Sequence, residues 1–260
     1  MAKVITFGIQ KGGSSKTTTS GIVAYLLSQK HRVLAVDMDS QGNLTELLTQ
    51  QDIYNFHKRT VFEALQIQDA RPFIHKITDN LHIIPAEDHI ARFASWLYDS
   101  KNPYRGNKSL VLMETLGDVQ SDYDYIIVDT PPALGEQTIN ALAAANVVVA
   151  MFEASKFCYS ALGRFLETCV HVQEKVNREM KIAGILRCMI DVRRTDNKAL
   201  IELAEEVYGE LCFDTVITRT AATGRLSING FENNPEIKSA VAQYLEFIEE
   251  LMDRVNGVED

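Results

Sequence analysis

From Val4 to Thr19 the chain reads Val4-Ile-Thr-Phe-Gly-Ile-Gln10-Lys11-Gly12-Gly13-Ser14-Ser15-Lys16-Thr17-Thr18-Thr19, and the architecture follows from this stretch. An apolar run of strand length, Val4 to Ile9, passes into two glycines and a Lys-Thr pair. A helical pattern then begins, with Ile22, Val23, Leu26 and Leu27 apolar between Thr17 and Gln29. A phosphate-binding loop requires this order. Glycines let backbone N–H groups converge on phosphate oxygens, and the helix N-terminus adds a favourable dipole. In such a loop Lys16 reaches the β- and γ-phosphates, and the Thr17 hydroxyl ligates Mg²⁺. The pattern G-x-x-x-x-G-K-[ST] is not met to the letter, because Gln10 and Ser15 stand at its two glycine positions. A glycine-rich turn capped by threonines is the competing reading, and the strand, loop, Lys-Thr and helix in sequence favour the phosphate loop.

Outward from this stretch, short apolar runs alternate with helical patterns, which predicts βαβ units and a mainly parallel, doubly wound α/β sheet flanked by helices. Strands are expected at Val33–Val36, Leu81–Ile84, Tyr125–Asp129, Val147–Ala150, Ile182–Met189 and Phe213–Ile217. Helices are expected at Asn43–Thr49, Val61–Leu65, His89–Tyr98, Ser109–Leu116, through Ala141–Ala145, and at Tyr159–Val176, Lys198–Tyr208 and Glu236–Val255. With no repeat, low-complexity tract or Pro/Gly/Ser linker, residues 1–260 read as a single domain, and 99–108 reads as a surface connection.

Composition removes other classes. Hydrophobic residues make up 46% and charged residues 23% of the 260, too apolar for a disordered chain and too poor in Gly and Pro for a fibre. No apolar run reaches a membrane-spanning length, and a polar Gln-Lys-Gly-Gly interrupts the start where a signal peptide would be apolar. Cys158, Cys169, Cys188 and Cys212 form no CxxC pair, so a disulfide framework and a zinc site are not expected, and buried thiols in a reducing cytosol are. The six histidines show no H-x-x-x-H spacing and read as structural or surface residues. With a net charge of −9 the whole molecule repels phosphate, so any nucleic-acid contact must come from a local basic patch.

The departures from the standard loop carry information of their own. Lys11 adds a second lysine, and K-G-G-x-x-K-T-[ST] resembles the deviant Walker A motif of the ParA/MinD family of ATPases. Further segments are similar to that family. Asp37-Met-Asp39-Ser40-Gln-Gly-Asn43 resembles its D-x-D-P-Q-G-N segment, with Ser40 in place of proline. Ile126-Ile-Val-Asp129-Thr-Pro-Pro132 resembles its Walker B region, and Thr138 to Ala145 its next helix. The resemblance implies ATP and Mg²⁺ as ligands, held by Lys11, Gly12, Gly13, Ser14, Ser15, Lys16, Thr17 and Thr18, with Thr17, Asp37 and Asp129 on the metal. It implies that Lys11 acts in trans across a face-to-face dimer, the alternative being a solvated loop lysine. It further implies that Asp39 orients the attacking water, Asp129 holds Mg²⁺ through water, and Gly42 is a mobile switch position.

Among the family's outputs, the short ParA form is expected, because no helix-turn-helix pattern precedes the first strand. Such a partition ATPase dimerises on ATP, binds DNA non-specifically and hydrolyses ATP when a ParB-like centromere-binding partner stimulates it, in the cytoplasm and on the nucleoid. The Arg225-Leu-Ser227 segment resembles the one that carries a DNA-contacting arginine in short ParA proteins. Arg219 lies in the same stretch, and Arg193 and Arg194 resemble a second such position. The acidic C-terminal helix pattern argues against a membrane partner. An ATPase that positions a protein cargo on the nucleoid, or a metabolic P-loop ligase, remains the alternative.

Overall fold

Along the central strands, side chains alternate between two apolar clusters. Val4, Leu34, Val36, Ile126 and Val128 point into one, and Ile5, Phe7, Val33, Ala35 and Ile127 into the other. Such a sheet is covered on both faces, which is why its strands read as unbroken apolar runs. The computed structural model of the protein describes residues 1–11, 15–153, 155–190 and 195–257.

The strands are β1 (Lys3–Gly8), β2 (Val33–Asp37), β3 (His75–Lys76), β4 (Leu81–Ile84), β5 (Tyr125–Asp129), β6 (Val147–Glu153), β7 (Lys181–Ile190) and β8 (Cys212–Thr218). They form one sheet in the order β3-β4-β2-β5-β1-β6-β7-β8. All neighbours pair in parallel except β3, which runs antiparallel to β4 at the edge. The helices are α1 (Lys16–Ser28), α2 (Asn43–Thr49), α3 (Val61–Ile67), α4 (Phe93–Tyr98), α5 (Val111–Gly117), α6 (Glu136–Ala144), α7 (Lys156–Lys175), α8 (Thr195–Tyr208), α9 (Ala221–Gly224), α10 (Leu226–Asn229) and α11 (Ile237–Asn256). The mainly parallel sheet flanked by helices agrees with the sequence reading.

Differences are confined to short pieces. The predicted helix His89–Tyr98 divides into a 3-10 turn over Asp88–Arg92 and α4. The two-residue β3 and the four-residue α9 and α10 carry too little periodicity to register in the sequence. At Gly8 a Cβ would lie 2.3 Å from the Phe165 ring, so α7 packs on β1 at a distance that only glycine permits.

Candidate functional site

The sheet order places β1 between β5 and β6, with β2 on the far side of β5. Ligands of open parallel sheets bind beyond the carboxyl ends of strands where the winding reverses. The exits of β1, β2 and β5 lie together there, and Asp37 and Asp129 pair in register at the ends of β2 and β5.

Ser15 precedes α1 with φ 62° and ψ 9°. This left-handed conformation is the one a glycine would adopt freely, and a residue with a Cβ holds it at a cost of about 1 kcal/mol. Ser15 thus leads into α1 where a glycine is usual, and Thr19 N–H donates to the Ser15 carbonyl at 2.8 Å to start the helix. The first residues of α1 then face a cleft of about 470 Å³, lined by Lys11, Ser15, Lys16, Thr17, Thr18 and Asp39 together with Gln41, Asn43, Glu46, Leu47, Pro132, Arg219 and Ser227. Gly12, Gly13 and Ser14 lie outside the described residues.

Beneath the cleft floor is a group of buried carboxylates. Asp129 is fully buried; its Oδ2 accepts from the Thr17 hydroxyl at 2.6 Å and its Oδ1 from Ser20 Oγ at 3.1 Å. The Lys16 ammonium, also buried, stands 3.5 Å from Asp129 Oδ1. Asp37 is held by Thr45, whose backbone N–H and hydroxyl donate to Oδ2 at 2.9 and 2.8 Å, and by Asp39 N–H, which donates to Oδ1 at 3.1 Å. Burial first, and the neighbouring Asp129 charge second, push the Asp37 carboxyl up to about 7 against those donors. Burial likewise holds the Asp39 carboxyl above its ordinary value, opposed by the Gln41 N–H and the Lys16 charge.

The donor set suits magnesium and a triphosphate. A hydroxyl and carboxylate oxygens converge at Thr17 and Asp129, the hard oxygen donors that Mg²⁺ takes. Asp37 and Asp129 are buried side by side, and the burial and mutual repulsion that raise the Asp37 carboxyl are what a cation there would relieve. Lys16 at a helix N-terminus presents positive charge where phosphate oxygens would lie. The residues fit both.

The structure brings Lys11, Ser15, Lys16, Thr17, Thr18 and Asp39 to one cleft, with Asp37 and Asp129 behind it. Lys11 is anchored separately, its ammonium 2.9 Å from Ser155 Oγ and 3.5 Å from Glu153. Gly42 caps α2 with φ 59°, and a Cβ there would come within 2.4 Å of Ile53, so this position demands glycine for conformation and for space. Of the basic candidates, Arg219 lines the cleft itself. Arg225 is exposed between α9 and α10 and donates to both carboxylate oxygens of Glu236 at 2.8 and 2.6 Å. Arg193 and Arg194 lie outside the described residues. The sequence reading missed Thr45, Ser20, Glu153 and Ser155. Each acts through a partner more than 5 residues away or on another element, with no spacing rule to mark it, although Thr45 follows the Asp37–Asn43 segment by two residues.

Residues 2–182 match the family described as an AAA domain. The chain is 34% identical over 236 residues to the sporulation initiation inhibitor protein Soj of Bacillus subtilis, covering 88% of this chain and 89% of that protein. Among solved structures, it is similar to cobyrinic acid a,c-diamide synthase of Mycobacterium smegmatis bound to an ATP analogue and magnesium, at 28% identity and a TM-score of 0.79 over 97% of this chain and 95% of that one. It is also similar to a plasmid partition protein of Borrelia burgdorferi, at 26% identity and a TM-score of 0.75 over 98% of this chain and 100% of that one. The fold and site define a P-loop ATPase of the deviant Walker A type. The chain belongs to the ParA/MinD family of these ATPases.

Proposed function

We propose that this protein is a ParA-type partition ATPase that binds ATP with Mg²⁺, dimerises face to face, binds DNA without sequence preference and hydrolyses ATP when a ParB-like partner engages it. The observation that carries the reading is the separate anchoring of two lysines at one cleft. Lys16 pairs with buried Asp129, whereas Lys11 rests on Glu153 and Ser155 at the rim, its side chain and that of Glu153 each about a quarter exposed. A partly exposed ion pair at 3.5 Å contributes little to stability, so Lys11 can leave it for the phosphates of a facing protomer.

Within one protomer, Lys16 and the α1 N-terminus bind the triphosphate, and Thr17 and Asp129 hold the metal, with Asp37 behind them. Bound Mg²⁺ supplies charge neutralisation on the phosphates. Asp39, buried at the cleft and close enough to Lys16 to feel its charge, orients the attacking water. Asp39→Ala is therefore expected to keep ATP binding and lower turnover by about 10²-fold or more. Arg225, Arg219, Arg193 and Arg194 are the candidates for DNA, doubled by dimerisation along one face. They would place the protein on the nucleoid in the cytoplasm.

Light scattering with ATP tests the trans lysine: wild type is expected to dimerise and Lys11→Ala to bind ATP as a monomer. A plasmid-shift assay tests the output. ATP-dependent binding should fall steeply with salt, hardly depend on sequence, and be lost in Arg225→Ala while dimerisation persists. A Lys11→Ala dimer, or no DNA shift by wild type at low salt, overturns the reading. The likeness to the cobyrinic acid synthase favours a second one, a P-loop ligase acting on a small molecule; ADP release that depends on cobyrinic acid and ignores DNA would select it. DNA binding with a protein cargo in place of a centromere would select a positioning ATPase.

A further inference from the structure

Three residues after β4, the carboxylate of Glu87 is almost wholly buried, its side chain 2% exposed. No lysine or arginine among the described residues pairs with it. Two imidazoles do: His57 Nδ1 and His89 Nδ1 each lie 3.1 Å from Glu87 Oε1, and His57 Nδ1 lies 3.3 Å from Oε2. The two rings meet edge to face, 62° apart with centroids at 5.1 Å, and one ligand atom from each of the three residues falls within 4.8 Å of the others. A buried carboxylate requires a compensating positive charge, which either protons on the imidazoles or a shared cation can supply.

We infer that His57, Glu87 and His89 form a binding site for a divalent transition-metal ion of the zinc class. Two imidazole nitrogens and one carboxylate oxygen are a ligand set that zinc accepts, with a fourth position for water. Ligands about 2.0–2.1 Å from a tetrahedral ion stand roughly 3.3 Å apart, close to the 3.1 Å at which each imidazole nitrogen already stands from Glu87 Oε1. His57 and His89 are partly exposed, with 48% and 29% of their side chains accessible, so the ion has a path in. The nitrogen donors also separate this site from the cleft, where only oxygen donors suited to Mg²⁺ converge.

The ion would act as a brace. His57 closes the 3-10 turn Ile53–Phe56, and Glu87 and His89 belong to the segment leaving β4. The two pieces already touch, since the Tyr54 hydroxyl donates to Asp88 at 2.7 Å. Each also supports the nucleotide side: Ile53 packs against Gly42, and Ala86 N–H donates to Thr45 Oγ1, which donates to Asp37. A metal joining them fixes the backing of α2 and of the Asp37 carboxylate.

The test uses the untagged full chain titrated with Co²⁺ in excess Mg²⁺, which leaves the oxygen-only site filled by the harder ion. Visible d–d bands of tetrahedral Co²⁺ are expected at one ion per chain and should be displaced by Zn²⁺. His57→Ala and His89→Ala should each weaken binding by at least about tenfold, while His171→Ala, an exposed histidine outside the cluster, should not. His57 is half-exposed and His89 still lies 3.1 Å from Glu87, so the His57 variant should remain folded without metal, with a cooperative melt as the check. No tight Co²⁺ in wild type overturns the inference, as does equal affinity in His57→Ala. Thiolate charge-transfer bands, which would assign the ion to a cysteine, overturn it as well.

Discussion

Two ion pairs of the molecule differ in almost every respect. Lys16 and Asp129 are 6% and 0% exposed and stand 3.5 Å apart beneath the cleft, amid further carboxylates at Asp37 and Asp39. Arg225 and Glu236 are 46% and 38% exposed and meet through two short hydrogen bonds on the surface. The second pair has the better geometry and the smaller consequence, because water and salt screen it and both partners remain solvated when it opens. In the first pair neither charge has water to fall back on, and a buried charge without its partner is costly. The buried pair is therefore costly to separate, and the exposed pair is a contact that a competing anion can replace. Burial, and not bond length, separates the two.

Lys16→Ala tests the buried side most severely. The substitution removes a charge-assisted contact worth about 1.5–3 kcal/mol, so ATP affinity measured by calorimetry should fall roughly 10- to 100-fold. Unchanged affinity would mean that the pair is structural alone.

The pH dependence of Asp37 sharpens it. An unfolded aspartate ionises near 3.8, and the native carboxyl holds its proton up to about 7. Between those values the folded state binds more protons than the unfolded state, so stability conferred by the protonated form is lost as pH rises through that window. Asp37→Asn cannot ionise. Denaturant melts without nucleotide, taken from acid to neutral pH, should show a flatter profile for the variant, with the two proteins diverging by on the order of a few kcal/mol across the window. Parallel profiles would mean that the burial of Asp37 carries no electrostatic cost.

The smallest effect is expected at the exposed pair. Glu236→Gln should leave the melting temperature unchanged and tighten ATP-dependent DNA binding by a few-fold, because a phosphate no longer competes with the carboxylate for Arg225. Filter binding at several salt concentrations measures this. A fall in thermal stability, or DNA affinity that does not change, would show that the pair does something other than occupy a solvated arginine.

Much of the nucleotide half was legible because its determinants are local. Strand, loop, Lys16-Thr17 and helix are contiguous, and β2 and β5 each end on the aspartate that their apolar runs announce. The irregular stretch between α2 and β5 was legible only in part, since the 3-10 turns at Ile53–Phe56 and Asp88–Arg92 are too short to show a period. The arginines near Arg225 were identified by a motif, and no sequence spacing revealed that Glu236 holds one of them or that Arg219 turns into the cleft.

The doubly wound sheet, the phosphate-loop motif and the aspartates that end β2 and β5 are legible from the order of residues alone, because hydrophobic period and loop chemistry act over a few neighbouring residues. It also settled that Ser15 and Gln10 replace the usual glycines, but not how the loop accommodates them; the left-handed backbone at Ser15 is a property of the fold. Only the tertiary structure decided which charges are buried together. Asp37 meets Asp129 across 92 positions because β2 and β5 lie side by side, and Glu87 meets His57 because the exit of β4 folds over a turn 30 residues earlier. Electrostatic energy depends on distance in space and on exclusion of water, and neither quantity is written in the order of residues along the chain.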